Sequence, residues 1–179
     1  MRYTLKDYQA EAANDVLALL REAQDKYHRA GVPSWLALSA ATGAGKTVIA
    51  SSVIERLFFG DDVADADPTA VVLWLSDSPD LNRQSMRRIR QASSELDTRL
   101  EEINVGFGHK KLAPNTVYFL NTQKLSKNSR LVAGHRVDPA QGNLLDKPLP
   151  DDARNNIWDV IARTIEDEDL TLYLVVDEA

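Results

Sequence analysis

The stretch Ala40-Ala41-Thr42-Gly43-Ala44-Gly45-Lys46-Thr47 constrains this chain more than any other. It lies between a short apolar run, Trp35-Leu36-Ala37-Leu38-Ser39-Ala40, and a segment over 46–59 that reads as a helix closed by Gly60. Strand, glycine loop, helix is the order that a phosphate-binding loop requires. Glycines let the backbone wrap close to phosphate oxygens, successive N–H groups converge on the anion, and the helix start adds partial positive charge. Lys46 is then placed to bridge the β- and γ-phosphates, and the Thr47 hydroxyl to bind Mg²⁺. The usual pattern begins with Gly, and here Ala40 takes that position.

The same alternation continues along the chain. Apolar spacing from Tyr8 through Ala12, Val16, Leu19 and Leu20 predicts a first helix ending before Gly31. An acidic loop (Asp61, Asp62, Asp65, Asp67) leads to a buried-type strand over 70–76, a turn at Asp77-Ser78-Pro79 and a helix over 80–96. Weaker strands are expected over 103–107 and 117–121, and an irregular excursion over 127–150. A helix over 153–165 precedes a continuous apolar run over 170–176 that ends in Asp177-Glu178-Ala179. Strands alternating with helices predict an α/β fold with a mostly parallel sheet, buried on both faces.

Composition narrows the chemistry. At 179 residues the chain is sized for one domain, with 44% hydrophobic and 27% charged residues. No cysteine is present, so disulfides, Cys-ligated zinc, iron–sulfur clusters and thiol catalysis are excluded; this composition suits a reducing cytoplasm. His28, His109 and His135 are too dispersed for a local metal motif, no apolar run approaches a membrane span, and the first residues carry no signal-peptide core. The net charge of −6 hides a patterned chain: Arg83, Arg87, Arg88 and Arg90 fall in a stretch free of acids, while Glu166-Asp167-Glu168-Asp169 is acidic.

A nucleotide site also needs a carboxylate for the metal's water shell and a base for the attacking water. Asp177 and Glu178, at the carboxyl end of an apolar strand, supply both. Gln9 offers an amide donor and acceptor that match an adenine edge, or else is a solvated helix residue. Arg83, Arg87 and Arg90 recur at helical spacing and are placed to meet a phosphate backbone, with Thr122 and Gln123 adding neutral hydrogen bonds; the alternative is a solvated arginine face. His109-Lys110-Lys111 reads as an exposed turn, and Trp35, Trp74 and Trp158 as core residues.

Thr42-Gly43-Ala44-Gly45-Lys46-Thr47 together with Val175-Val176-Asp177-Glu178-Ala179 resembles the first motor domain of superfamily 2 DEAD/DEAH-type helicases and translocases. Leu5-Lys6-Asp7-Tyr8-Gln9 looks like that family's adenine-reading element, with Lys6 in place of Arg. The stretch from Trp74 to Gln84 is similar to the next motif in its form in the restriction (Res) subunits of type III, and less closely type I, restriction-modification enzymes; Asn121-Thr122-Gln123-Lys124-Leu125 resembles the following nucleic-acid-contacting motif. The resemblance implies an N-terminal RecA-like P-loop NTPase domain over 1–179, with the adenine-reading helix in 1–34 and an insertion over 127–150. ATP and Mg²⁺ are its implied cofactors. Gln9, Thr42, Gly43, Ala44, Gly45, Lys46 and Thr47 would hold the nucleotide, Thr47 and Asp177 the metal, and Lys46 and Glu178 would serve catalysis.

It further implies a cytoplasmic ATP-dependent motor moving on duplex DNA, in a restriction-modification or phage-defence complex with methyltransferase or specificity subunits. Arg83, Arg87, Thr122 and Gln123 would contact the nucleic acid. A motor of this kind closes a second RecA-like domain over ATP, so a chain stopping just after Asp177-Glu178 is expected to be truncated, with its last strand at a sheet edge. Three other readings stay open: a helicase unwinding RNA or DNA, a nucleotide-binding switch or assembly module without appreciable turnover, and a P-loop ATPase unrelated to nucleic acid, whose arginine helix would be only a solvated face.

Overall fold

The computed structural model describes residues 1–41, 43–63, 65–133 and 156–177. Its centre is β1 (Ala70–Ser76), a run of aliphatic residues and Trp74 that is buried almost throughout. β1 pairs in parallel with β3 (Thr116–Asn121) on one side and β4 (Thr171–Val176) on the other; β2 (Leu100–Glu102) pairs in parallel with β3. The sheet order is β2-β3-β1-β4, all parallel.

Alternation along β1 and β3 sends successive side chains to opposite faces. Ala70, Val72, Trp74, Val117 and Phe119 join a core with α1 (Asp7–Ala30), α2 (Lys46–Phe59) and α3 (Pro79–Ala92). Val71, Leu73, Tyr118 and Leu120 join a second core, with Leu131 of α4 (Arg130–Ala133) and Ile157 and Val160 of α5 (Ile157–Ile165). This is the α/β architecture of a RecA-like domain, helices covering both faces. Among the described residues no helix is long and apolar enough to cross a membrane.

The helices start where the sequence supplies caps. The Ser78 hydroxyl accepts from the Leu81 N–H at 3.2 Å with Pro79 opening α3, and Asn156 Oδ1 accepts from the Trp158 N–H at 2.9 Å.

Helix direction fixes where the loops lie. Near the end of α2, the Leu57 carbonyl accepts from the Asp67 N–H at 2.7 Å, just ahead of β1; near the end of α1, His28 Nε2 is 3.1 Å from Thr171 Oγ1 at the start of β4. Both helices therefore run against the strands. Fourteen residues of α2 span roughly 21 Å, about the length of the seven residues of β1, so Lys46 lies at the carboxyl end of the sheet. At the amino end, Asp67 accepts from Gln24 Nε2 (2.8 Å), from the Thr69 N–H (2.9 Å) and from the Tyr173 hydroxyl (3.0 Å). Burial, then the neighbouring Asp67 charge, pushes the Tyr173 hydroxyl far above its ordinary range, so it stays a neutral donor.

Several expectations need correction. Residues 35–40 form no strand: only Leu38 packs against the core, Trp35 is 89% exposed, and no described strand pairs with the outer edge of β4. Apolar content made the run strand-like, but ladder pairing needs an edge in reach and in register, which composition does not encode. The strand expected over 103–107 is displaced to Leu100–Glu102; Ile103 and Phe107 are buried as anchors of the loop that follows. α3 ends at Ala92 rather than 96, because Leu96 packs from a separate 3-10 turn region over 97–99. Among the described residues β4 lies at a sheet edge, and it is not buried on both faces: Leu174 and Val176 are exposed. Trp158 is half-exposed, so of the three tryptophans Trp74 alone is core. In the expected excursion, 134–150 lies outside the described residues, as does the 153–155 start of the last helix.

These placements predict opposite outcomes for two aromatic positions. Phe119→Ala, at a fully buried site, should lower unfolding free energy by about 3–5 kcal/mol in urea titration. Trp35→Ser should change it by no more than about 0.5 kcal/mol.

Candidate nucleotide site

Two glycines shape the loop ahead of α2. Gly43 has φ +83° and Gly45 φ +86°, the left-handed region where a side chain is strained. At Gly45 space is also short: a Cβ would lie 2.6 Å from Gln9 Nε2. Gly45 caps α2, its carbonyl accepting from the N–H groups of Val48 (2.8 Å) and Ile49 (3.0 Å). The first N–H groups of a 14-residue helix thus open at the carboxyl end of the sheet beside a loop held in an anion-friendly conformation.

α1 clamps this loop. Gln9, only 9% exposed, donates from Nε2 to the Ala44 carbonyl at 2.9 Å and accepts at Oε1 from the Lys6 N–H at 3.0 Å. The Tyr8 hydroxyl donates to the same Ala44 carbonyl at 3.0 Å. The Gln9 amide is thus engaged with the loop and its own helix start. Lys46 donates from Nζ to the Ala40 carbonyl at 3.1 Å, and the Thr47 carbonyl accepts from the Ser51 hydroxyl at 2.6 Å.

Asp177 sits just past β4, its N–H donating to the Leu75 carbonyl at 2.9 Å. Its Oδ2 accepts from Trp74 Nε1 (3.1 Å) and from the Ser85 hydroxyl (2.7 Å). Lys46, Thr47 and Asp177 therefore share the carboxyl end of a parallel sheet, where ligands collect in open α/β folds. A glycine loop at a helix start, an ammonium, a hydroxyl and a carboxylate make a donor set that fits a magnesium-bound nucleotide phosphate. Thr42 and Glu178 lie outside the described residues.

At the same end, Asn121 ties two loops together: its Nδ2 donates to the Asp77 carbonyl (2.9 Å) and its Oδ1 accepts from the Gln123 N–H (2.8 Å). Thr122 donates to Asp77 Oδ1 at 3.3 Å, while Gln123 is exposed. α3 buries Asn82, Ser85, Met86 and Ile89 and turns its arginines outward. Those arginines are not equivalent. Arg83 is paired with Asp80, whose hydrogen bond and charge hold its guanidinium above the ordinary range, and Arg90 pairs with Asp97 at 3.4 Å. Arg87 and Arg88 are exposed and have no side-chain partner among the described residues. Helical spacing groups Arg87 with Arg83 and Arg90 and leaves Arg88 aside, whereas exposure and pairing group Arg87 with Arg88.

Positions that sequence reasoning did not assign to the site are Tyr8, Trp74 and Ser85. Each reaches it through a hydrogen bond, spanning 36, 103 and 92 residues respectively; Tyr8 and Trp74 lie within motif-like stretches, but a local pattern does not show which distant group they contact.

The family model described as type III restriction enzyme, res subunit, matches residues 2–179 of the chain. No curated protein and no solved structure matches it.

Gly45→Ala should destabilise the protein by about 1–3 kcal/mol in chemical denaturation, from left-handed backbone strain and the collision with Gln9. Adding Gln9→Ala should leave most of that loss in place, because the backbone angle is unchanged.

Proposed function

The chain belongs to the type III restriction enzyme res-subunit family and is an ATP-binding domain of helicase type, and we propose that it powers movement along duplex DNA by hydrolysing ATP. What supports the reading is the placement of the Gly43–Gly45 loop, Lys46 and Thr47 on the sheet end that also carries Asp177.

Bound MgATP supplies the phosphoanhydride whose γ-phosphoryl group passes to water. In this proposal the N–H groups of the loop and of the first turn of α2 bind the phosphates, and Lys46 leaves the Ala40 carbonyl to neutralise them. The Thr47 hydroxyl and Asp177 hold the metal and its water shell. Gln9 selects adenine, while its bond to Ala44 keeps the loop in register. Glu178, next in sequence after Asp177, orients the attacking water.

Arg87 is the leading phosphate-backbone contact in this reading, with Arg83, Thr122 and Gln123 around it. Movement on DNA would require a second motor domain closing over the nucleotide, and methyltransferase or specificity subunits would supply site recognition within a defence complex.

On the full-length protein, duplex DNA should raise ATP turnover severalfold over protein alone, and Lys46→Ala should lower turnover at least ~100-fold. A preference for single strands or RNA would redirect the assignment to an unwinding helicase. Turnover that requires Lys46 but ignores every nucleic acid would overturn the motor reading and leave an ATPase unrelated to nucleic acid; no appreciable turnover under any condition would leave a nucleotide switch. Arg87→Ala should weaken duplex binding and reduce the slope of log affinity against log salt by about 0.9.

A further inference from the structure

The carboxylate of Asp177 is engaged by protein donors through one of its two oxygens. Its Oδ2 receives both the Trp74 indole N–H at 3.1 Å and the Ser85 hydroxyl at 2.7 Å. Both donor residues are buried, Trp74 at 2% and Ser85 at 5% exposure, while Asp177 itself is half-buried. The indole is a donor only, and a Ser hydroxyl facing a carboxylate must donate. Trp74 is itself fixed, being in the central strand and against the Phe119 ring at 5.8 Å between centroids. Ser85 is fixed by its place on the buried face of α3. One oxygen is thereby committed to protein donors, which among the described residues leaves Oδ1 as the oxygen available to a cation.

We propose that Trp74 and Ser85 are positioning residues for Asp177, orienting its free oxygen toward the magnesium that accompanies the nucleotide. This rests on the metal-binding reading of Asp177 given above. Partners that orient a metal-binding group commonly alter metal affinity 10- to 100-fold when removed. The alternative is that Asp177 merely satisfies two buried donors, a structural role that would not discriminate between nucleotide with and without metal.

The test is ADP binding to the full-length protein by titration calorimetry across a range of Mg²⁺ concentrations and again in EDTA, for wild type, Ser85→Ala and Trp74→Phe. The expected result is a Mg²⁺ midpoint raised at least 10-fold in both variants, with metal-free ADP affinity unchanged. If wild type depends on Mg²⁺ and Ser85→Ala keeps its midpoint, the positioning role is overturned while the nucleotide site stands. Equal loss of affinity with and without Mg²⁺ would also overturn it, marking the bonds as structural. ADP binding by wild type that ignores Mg²⁺ would overturn the metal reading of Asp177, and this inference with it.

Discussion

Everything positioned in this domain hangs on β1. It lies between β3 and β4 with a helical layer on each face, so its seven residues set the register of β3 and β4 and the docking of α2 and α3 together. Its burial is nearly complete, which suits a parallel strand whose backbone and side chains all find protein partners. The site inherits that rigidity: Asp177 leaves β4 directly after its last pairing with β1, its N–H still bonded to Leu75, and Trp74 of β1 reaches the Asp177 carboxylate.

How much of this was legible in sequence follows from how local each signal is. The bounds of α2 and β1 coincide with the sequence reading because Gly45 and Gly60 punctuate the helix and a dense aliphatic run marks the central strand. β2 was misplaced because Leu100-Glu101-Glu102 has the charge of an edge strand, whereas the apolar residues after it are loop anchors. The run over 35–40 shows the limit of composition: it leaves α1 at the amino end of the sheet and returns to the carboxyl end, the course a parallel strand would take, yet it forms no ladder. The clamp of Gln9 on Ala44, across 35 residues, and the two donors to Asp177 are long-range facts. Only folding brings them together.

α3 carries two kinds of chemistry on opposite sides. Its buried side gives Ser85 to Asp177 and Asn82 to Ser76, whose hydroxyl lies 2.7 Å from the Asn82 Oδ1; its outer side gives the arginines to solvent. Ser85 and Arg87 are two residues apart, so the backbone segment that fixes one also fixes the other. A helix one turn out of register would lose both.

The helix directions also sort charge. The acidic loops around Asp61, Asp65 and Asp67 and over 166–169 precede β1 and β4, at the amino end of the strands, whereas α3 begins its arginine face at the opposite end. The acidic side is not bare, since Arg56 pairs with Asp61 and Lys111 with Asp167, whereas Arg87 and Arg88 on α3 have no side-chain partner among the described residues. Exposed charges are screened within about 8 Å at physiological salt, so an ion close to either surface senses this local pairing rather than the net charge of −6.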